Sequence, residues 1–455
     1  MFNPEVEAAL AYGGEGYTPP RPVAQLAEDL ETLPMFLTSP DDVVLVRKQP
    51  SISHLAHLKS LGFHLPEFVV TDPKAKRIEK NSPLMGRKLN MLRPWGWAPD
   101  VANFFTPLVS ASRAHHIPLS DVVKRSASLH AKTWLTHRAK HSISTLKPEF
   151  LKHVIAQNLP VNAHHKNAVE NTIRALGEQG FETIVVKAPL GSAGGAQIRI
   201  MNHEPSRSQW GWIERIIAKQ GNVIIEPWYE NQFDGSYLFK IGSEGRFTEI
   251  GLTHFFTDNQ GRYRGTAIGP LSDTMRPDLK AFFFQAGGQS DWINQTLKHI
   301  ARSLSADLYS EGLTGYAGID FMIVKKATGD YQLRAPLELN PRPTMGHVAQ
   351  AIARPFGTRV RGLWCLVTQQ DLKQARQPNF KALLDAMNAT IPSQSKGEPA
   401  RLVRGVFSTT DTEAAQHVCS ICIVDKNFSE VLKHAAKHLR NDLYTQLLHE
   451  RHIQD

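Results

Sequence analysis

The stretch PLELNPRPTMGH (336–347) sets a carboxylate, Glu338, and a carboxamide, Asn340, two residues apart, with Arg342 two further on. Just upstream, GYAGIDFMIVKKATGDYQLRAPLELNP (315–341) reads as two apolar strands joined by a turn near KATGD. A turn centred on Gly329 makes Asp320 and Glu338 cross-strand partners, and such partners share a face of the sheet, as does Asn340. Two carboxylates about 5 Å apart at their Cβ atoms repel, and one takes a proton unless a cation sits between them. Hard oxygen donors with open positions suit Mg2+, with Mn2+ as a substitute, the remaining ligands being water and phosphate. The competing reading is a pair of exposed charges flanking a hairpin.

A second constellation precedes the first. In VVKAPLGSAGGAQI a strand carries Lys187 and runs into Gly191, Ser192, Ala193, Gly194 and Gly195. Small residues let backbone N–H groups approach an anion, and a lysine at the loop's root supplies a point charge for phosphate. No Gly-Lys-Ser/Thr follows the glycines, so this is not a Walker loop. Some way on, VIIEPWYE ends a strand in Glu226, Pro227 and Trp228, which offer backbone groups and an apolar wall to a purine.

The surrounding elements must place these groups. Residues 1–40, rich in Pro and Gly, read as an extension lying on the surface or on a neighbour. DDVVLVRK, SHLAHLKS and LGFHLPEFVVTD give a βαβ-like start to a small α/β unit. LRPWGWAP (92–99) is loop chemistry, a packed surface loop rather than a ligand platform. After a helical stretch, the segments from 182 to 269 are antiparallel sheet with Ser-Glu-Gly and Asp-Asn-Gln-Gly turns. A helix follows, capped by Ser290, with Asp291 in its first turn and Ile293, Leu297, Ile300 and Leu304 as one stripe. Beyond Gly346 the pattern is mainly helical.

Composition narrows the class. The chain has 455 residues, 41% of them apolar and 21% charged, which suits two to four packed units of globular protein. Its formal charge of +9 is spread along the sequence without a nucleic-acid-binding motif, so specific nucleic-acid binding is not expected. No membrane span and no secretory leader is read, and three cysteines are too few for a disulfide framework; the expected location is cytoplasmic. Cys419 and Cys422 fall three apart in the strand-like HVCSICIVD, hence on opposite faces, which suits buried structural thiols and not a zinc site. Most histidines, including His115–His116 and His164–His165, read as surface residues; His254 and His347 are kept as substrate contacts or proton acceptors.

The order of motifs over residues 42–350 resembles the ATP-grasp superfamily, specifically its carboxylate-amine ligases. The resemblance implies a mixed α/β and α+β fold in which two α+β subdomains clamp ATP behind an α/β pre-ATP-grasp domain. The expected borders are an extension at 1–40, the pre-ATP-grasp domain at 41–125, the lid subdomain at 126–220 and the catalytic subdomain at 221–350. An α+β, mainly helical C-terminal extension occupies 351–455. It further implies that Lys187 and Lys132 (in SLHAKTWL) touch phosphates, that the Gly191–Gly195 loop folds over them, and that Glu226 through Trp228 form the adenine hinge. Glu230 or Asp234 takes the ribose, Asp320, Glu338 and Asn340 bind magnesium, and Arg342 and Arg264 steady the substrate carboxylate and acyl phosphate. The implied partners are small carboxylates and amines, amino acids among them; the sequence leaves the oligomeric state open, a homodimer being the commonest assembly. Alternatives within the fold are a kinase, a ligase acting on a protein or peptide, and a nucleotide-binding regulator without turnover.

Overall fold

The computed structural model describes residues 1–72, 74–113, 118–191, 196–285, 291–326, 328–356, 360–397 and 401–452. Among these residues, short apolar runs separated by turn residues form fifteen strands in three sheets. The smallest sheet pairs β1 (Val43–Val46) and β2 (Glu67–Val70) in parallel. Parallel neighbours need a crossover, and the helix Ile52–Ser60 supplies it, capped by Ser51 Oγ accepting from the His54 N–H at 3.3 Å.

The first forty residues depart from the expected surface extension. Val6, Leu30 and Leu33 are fully buried, and Leu30, Leu33, Met35, Val44 and Leu58 share a core with Val348, Ile352, Trp364 and Cys422. The Pro- and Gly-rich stretches are the links; the short apolar helices between them carry enough buried surface to hold the segment down.

The second sheet holds β3 (Val161–Ala163), β4 (Thr183–Lys187), β5 (Gln197–Met201) and β6 (Val223–Pro227) in the order β3-β6-β4-β5, all antiparallel. The helices Lys166–Glu178 and Arg207–Gln220 cover it, through Val169, Ile173, Leu176 and Ile213.

The third sheet is nine strands wide. It contains β7 (Asn231–Ile241), β8 (Phe247–Thr257), β9 (Tyr263–Ile268), β10 (Gly315–Lys325), β11 (Tyr331–Asn340), β12 (Arg361–Thr368), β13 (Gln394–Lys396), β14 (Arg401–Ser408) and β15 (Val418–Asp425). Their order is β11-β10-β7-β8-β9-β12-β15-β14-β13. The helix Trp292–Ser310 lays its stripe of Ile293, Leu297, Ile300 and Leu304, all fully buried, onto the β7–β10–β11 end. Ser290, the expected cap, lies outside the described residues; Asp291 is the N-cap, with no capping bond from its side chain. At the other end the sheet is covered on both faces. Along β12, Trp364 and Leu366 face the N-terminal segment, whereas Leu363, Cys365 and Val367 face the helices Gln369–Ala375, Phe380–Thr390 and Phe428–Leu439. Cys422 and Cys419 divide in the same way between the two cores, as their spacing requires, and both are free thiols.

Candidate active site

The β10–β11 hairpin does bring Asp320 opposite Glu338, and Gly318 opposite Asn340. The route differs from the expected one. Near the turn Lys325 pairs with Tyr331 and Met322 with Arg334, which centres the ladder on Thr328; an irregularity around Pro336 then shifts the register before Asp320. Gly329, at φ +93°, still supplies the left-handed residue of the turn. Ser236 on β7, the other neighbour of Asp320, donates its hydroxyl to Asp320 Oδ1 at 2.5 Å, and Asn340 Nδ2 donates to Oδ2 at 3.1 Å.

The two carboxylates have opposite electrostatics. Burial, then the facing Glu338, push the Asp320 carboxyl up to about 7 against the pull of its hydrogen bonds. Burial acts the same way on Glu338, but Lys132 and Lys187 outweigh it and hold that carboxyl below its ordinary range. Lys132 Nζ lies 3.0 Å from Glu338 Oε1 and donates to the Gly191 carbonyl at 3.2 Å. It begins the helix Lys132–Ser144, whose first N–H donates to the Pro189 carbonyl at 2.9 Å, so one residue ties the Lys187 loop to the hairpin.

Lys187 arrives from the end of β4 and pairs with Glu226 on β6. The second oxygen of Glu226 accepts from Arg334 at 3.1 Å, a guanidinium with no solvent exposure that β11 presents from below. Burial alone would raise Glu226, but these two cations keep it ionised and low. Lys132, Lys187, Glu226 and Glu338 line one void of about 20 Å³, which brings Lys187 of the four-stranded sheet to Glu338 of the nine-stranded one.

Arg342 follows Asn340 on the loop leaving β11. Its Nε donates to Glu7 Oε1 at 2.6 Å and its Nη1 to the Pro343 carbonyl at 3.1 Å. Glu7 belongs to the helix Val6–Tyr12, which the LRPWGW loop clasps: Asn3 Nδ2 donates to the Gly96 carbonyl at 2.8 Å, and the Gly96 N–H donates back to Asn3 Oδ1 at 3.2 Å. A Cβ on Gly96 would lie 2.5 Å from Val6 Cγ2, so the close approach needs glycine. Trp95 packs edge-on against Phe2 at 4.8 Å.

Other expected residues fare differently. Ser192, Ala193, Gly194 and Gly195, like His115 and His116, lie outside the described residues, while Gly191 is placed beside Lys132. Pro227 closes β6, and the Trp228 N–H is already used by the Thr183 carbonyl at 2.9 Å. Trp228 and the exposed Glu230 line a cavity of about 680 Å³ together with Phe181, Tyr229 and Gln332. Asp234 lies on β7, bonded by Asn231 and raised by burial to about 6. Arg264 is not brought to the site. It sits on β9, and its Nη2 binds both Asp371 oxygens at 2.7 Å in the C-terminal part, where pairing of β9 with β12 points it. His254 stacks on Phe233 at 4.1 Å and bonds Thr274, and His347, pushed down to about 3 by burial, caps the helix Met345–Ala353. Sequence reading missed Ser236, Arg334 and Glu7. Arg334 was within reach, since strand alternation puts it on the Glu338 face; Glu7 gave no signal.

Among the described residues no helix is long and apolar enough to cross a membrane, and no three His, Cys, Asp or Glu side chains gather as a metal cluster. No family model and no curated protein matches the chain. Solved structures do. N5-carboxyaminoimidazole synthetase from Staphylococcus aureus is 12% identical over 92% of this chain and 95% of that one, with a TM-score of 0.50. N5-carboxyaminoimidazole ribonucleotide synthetase from Thermus thermophilus is 14% identical over 91% and 96%, at 0.45. Biotin carboxylase from Campylobacter jejuni is 12% identical over 71% and 76%, at 0.40. The first of these, spanning nearly all of both chains, shows a shared fold, and that fold is ATP-grasp.

Proposed function

From this ATP-grasp fold we propose that the chain is an ATP-dependent carboxylate–amine ligase that forms an amide through an acyl phosphate and releases ADP and phosphate. One observation carries the reading: Asp320 and Glu338 stand opposed on one sheet while Lys132 and Lys187 approach Glu338, Lys187 from the four-stranded sheet.

The donor set fits Mg2+. Asp320 retains a proton near neutrality because burial and Glu338 disfavour its charge, and a cation relieves both; Asn340 would turn its amide oxygen inward to join. Asp320, Glu338 and Asn340 would hold the metal, which would supply positive charge against that developing on the transferred phosphoryl group. The chain's own groups do the rest. Lys187 and Lys132 exchange Glu226 and Glu338 for phosphate oxygens. The void there is water-sized, so nucleotide entry requires the four-stranded sheet to swing away from the hairpin. Trp228, Tyr229 and Glu230 line the larger cavity beyond, and serve adenine and ribose. Arg342 steadies the acid. Its carboxylate oxygen bonds to the γ-phosphorus as the β–γ bridge breaks, leaving ADP. The amine nitrogen then bonds to the acyl carbon as the C–O bond to phosphate breaks; phosphate leaves with the electron pair and the surplus proton passes to solvent.

The test is a screen of amino-acid pairs and small acids for ADP release, with mass detection of product. An amide product is expected. ADP with a phosphorylated acceptor and no amide would make the protein a kinase, and failure to bind MgATP would end the reading.

A further inference from the structure

A second cavity, of about 210 Å³, opens beyond Arg342, between the LRPWGW loop, the helix Leu119–His130 and the start of β10. Three arginines line it: Arg93, Arg125 and Arg342. Glu311, also in its lining, is matched by Arg138 at 2.7 Å and by the Trp134 indole at 2.7 Å, so it does not offset them. Arg125 is exposed and has no hydrogen bond or ion pair among the described residues. Its guanidinium lies so close over Gly312 that a Cβ there would collide with Nη1. Trp95, Trp97 and Tyr316 give the cavity flat apolar sides. His130, buried on the floor, stays neutral: burial lowers it, ahead of the opposing pull of Glu7. Its Nδ1–H donates to the Ser126 carbonyl at 2.7 Å. The lining is therefore cationic and amphipathic, which suits a small organic anion.

Arg342 connects this cavity to the metal-ligand hairpin, two residues from Asn340. Its fork has fixed geometry, so whichever group holds Nε decides where the other nitrogens point. Glu7 holds Nε and the Pro343 carbonyl holds Nη1, which leaves Nη2 for the cavity that Arg342 lines. Glu7 is 7% exposed, and burial, which would raise it, is outweighed by Arg342, so it stays ionised. We propose that Glu7, from the N-terminal helix, is a positioning residue that aims Arg342 at a small carboxylic acid bound in this cavity. The proposal rests on the ligase reading and goes further, because it makes the N-terminal segment a working part of the acid site.

The experiment uses the full chain. Acids (the proteinogenic amino acids, bicarbonate, acetate, succinate and benzoate) are titrated singly with MgATP saturating, following ADP release, and MgATP binding is measured separately by calorimetry. Glu7→Gln is expected to raise the half-saturating concentration of the responding acid by roughly tenfold or more, the loss of one charge-assisted bond, with MgATP affinity moving less than about twofold. Glu7→Asp should recover part of the loss. Arg125→Gln, at an exposed position where folding is not at stake, should weaken the acid roughly threefold to tenfold. An unchanged acid constant in a folded Glu7→Gln variant overturns the proposal, as does an unchanged constant in Arg125→Gln if Glu7→Gln fails to fold. MgATP binding without response to any acid also overturns it, while leaving the nucleotide reading standing. Absence of MgATP binding removes the ligase reading itself.

Discussion

The two ends of the nine-stranded sheet treat buried charge in opposite ways. At the β12–β15 end, Arg264 meets a single carboxylate that is itself fully served: Asp371 also accepts from the Thr368 N–H and hydroxyl and from Asn441. At the β10–β11 end, Arg334, Glu226, Lys187, Glu338 and Lys132 form an alternating chain in which each lysine is shared or replaceable, and burial and Glu338 raise the Asp320 carboxyl to about 7. A closed pair stabilises structure, whereas an open chain of charges is ready to exchange partners with a ligand.

Four substitutions would break or sharpen that contrast. Glu338→Ala should cut ATP turnover at least about a thousandfold, some 4 kcal/mol of transition-state stabilisation, while the melting temperature stays close to that of the parent. Retained ADP release would refute the metal role. Asp371→Ala should do the reverse, stranding buried Arg264 at a cost of about 3–5 kcal/mol in urea unfolding with MgATP affinity unchanged.

The third concerns pH. A carboxyl that grips its proton harder when folded favours the native state at low pH; for Asp320 that advantage is complete below its ordinary 3.8 and is lost as pH rises to about 7. Asp320→Asn should therefore raise stability above pH 7, by on the order of 2–4 kcal/mol, with no gain near pH 4. Melting curves across that range decide it; a gain that is constant with pH would mean Asp320 does not titrate in the fold. Smallest is Cys419→Ala, expected to cost about 1 kcal/mol of packing and no activity, since the thiol lies in an apolar core.

What the sequence made legible follows the distance over which each feature is determined. The Asp320–Glu338 pairing depends on a turn and on alternation within a score of residues, and it was found even though the turn sits one position earlier and a bulge restores the register. The βαβ unit, the split of Cys419 from Cys422 and the stripe of the helix Trp292–Ser310 are equally local. Partners set by tertiary packing were not legible. Glu7 and Arg342 lie 335 residues apart, Arg264 and Asp371 107, and Glu226 and Arg334 108. The resemblance alone puts Arg264 at the site, and an arginine beside glycine in a strand gives no hint of which end of a wide sheet will receive it. The N-terminal segment was misread for the same reason: its proline and glycine content describes its links and says nothing of the Asn3–Gly96 clasp.

The ladder from β9 to β12, Ile268 against Gly362 through Gly265 against Cys365, also bears on how the chain can be shortened. A truncation ending near residue 350 would bare the β9 edge as a row of unpaired amides beside the uncovered Phe256 and Ala267. Such an edge recruits other strands, so the shortened protein should precipitate on expression whatever the state of its catalytic hairpin.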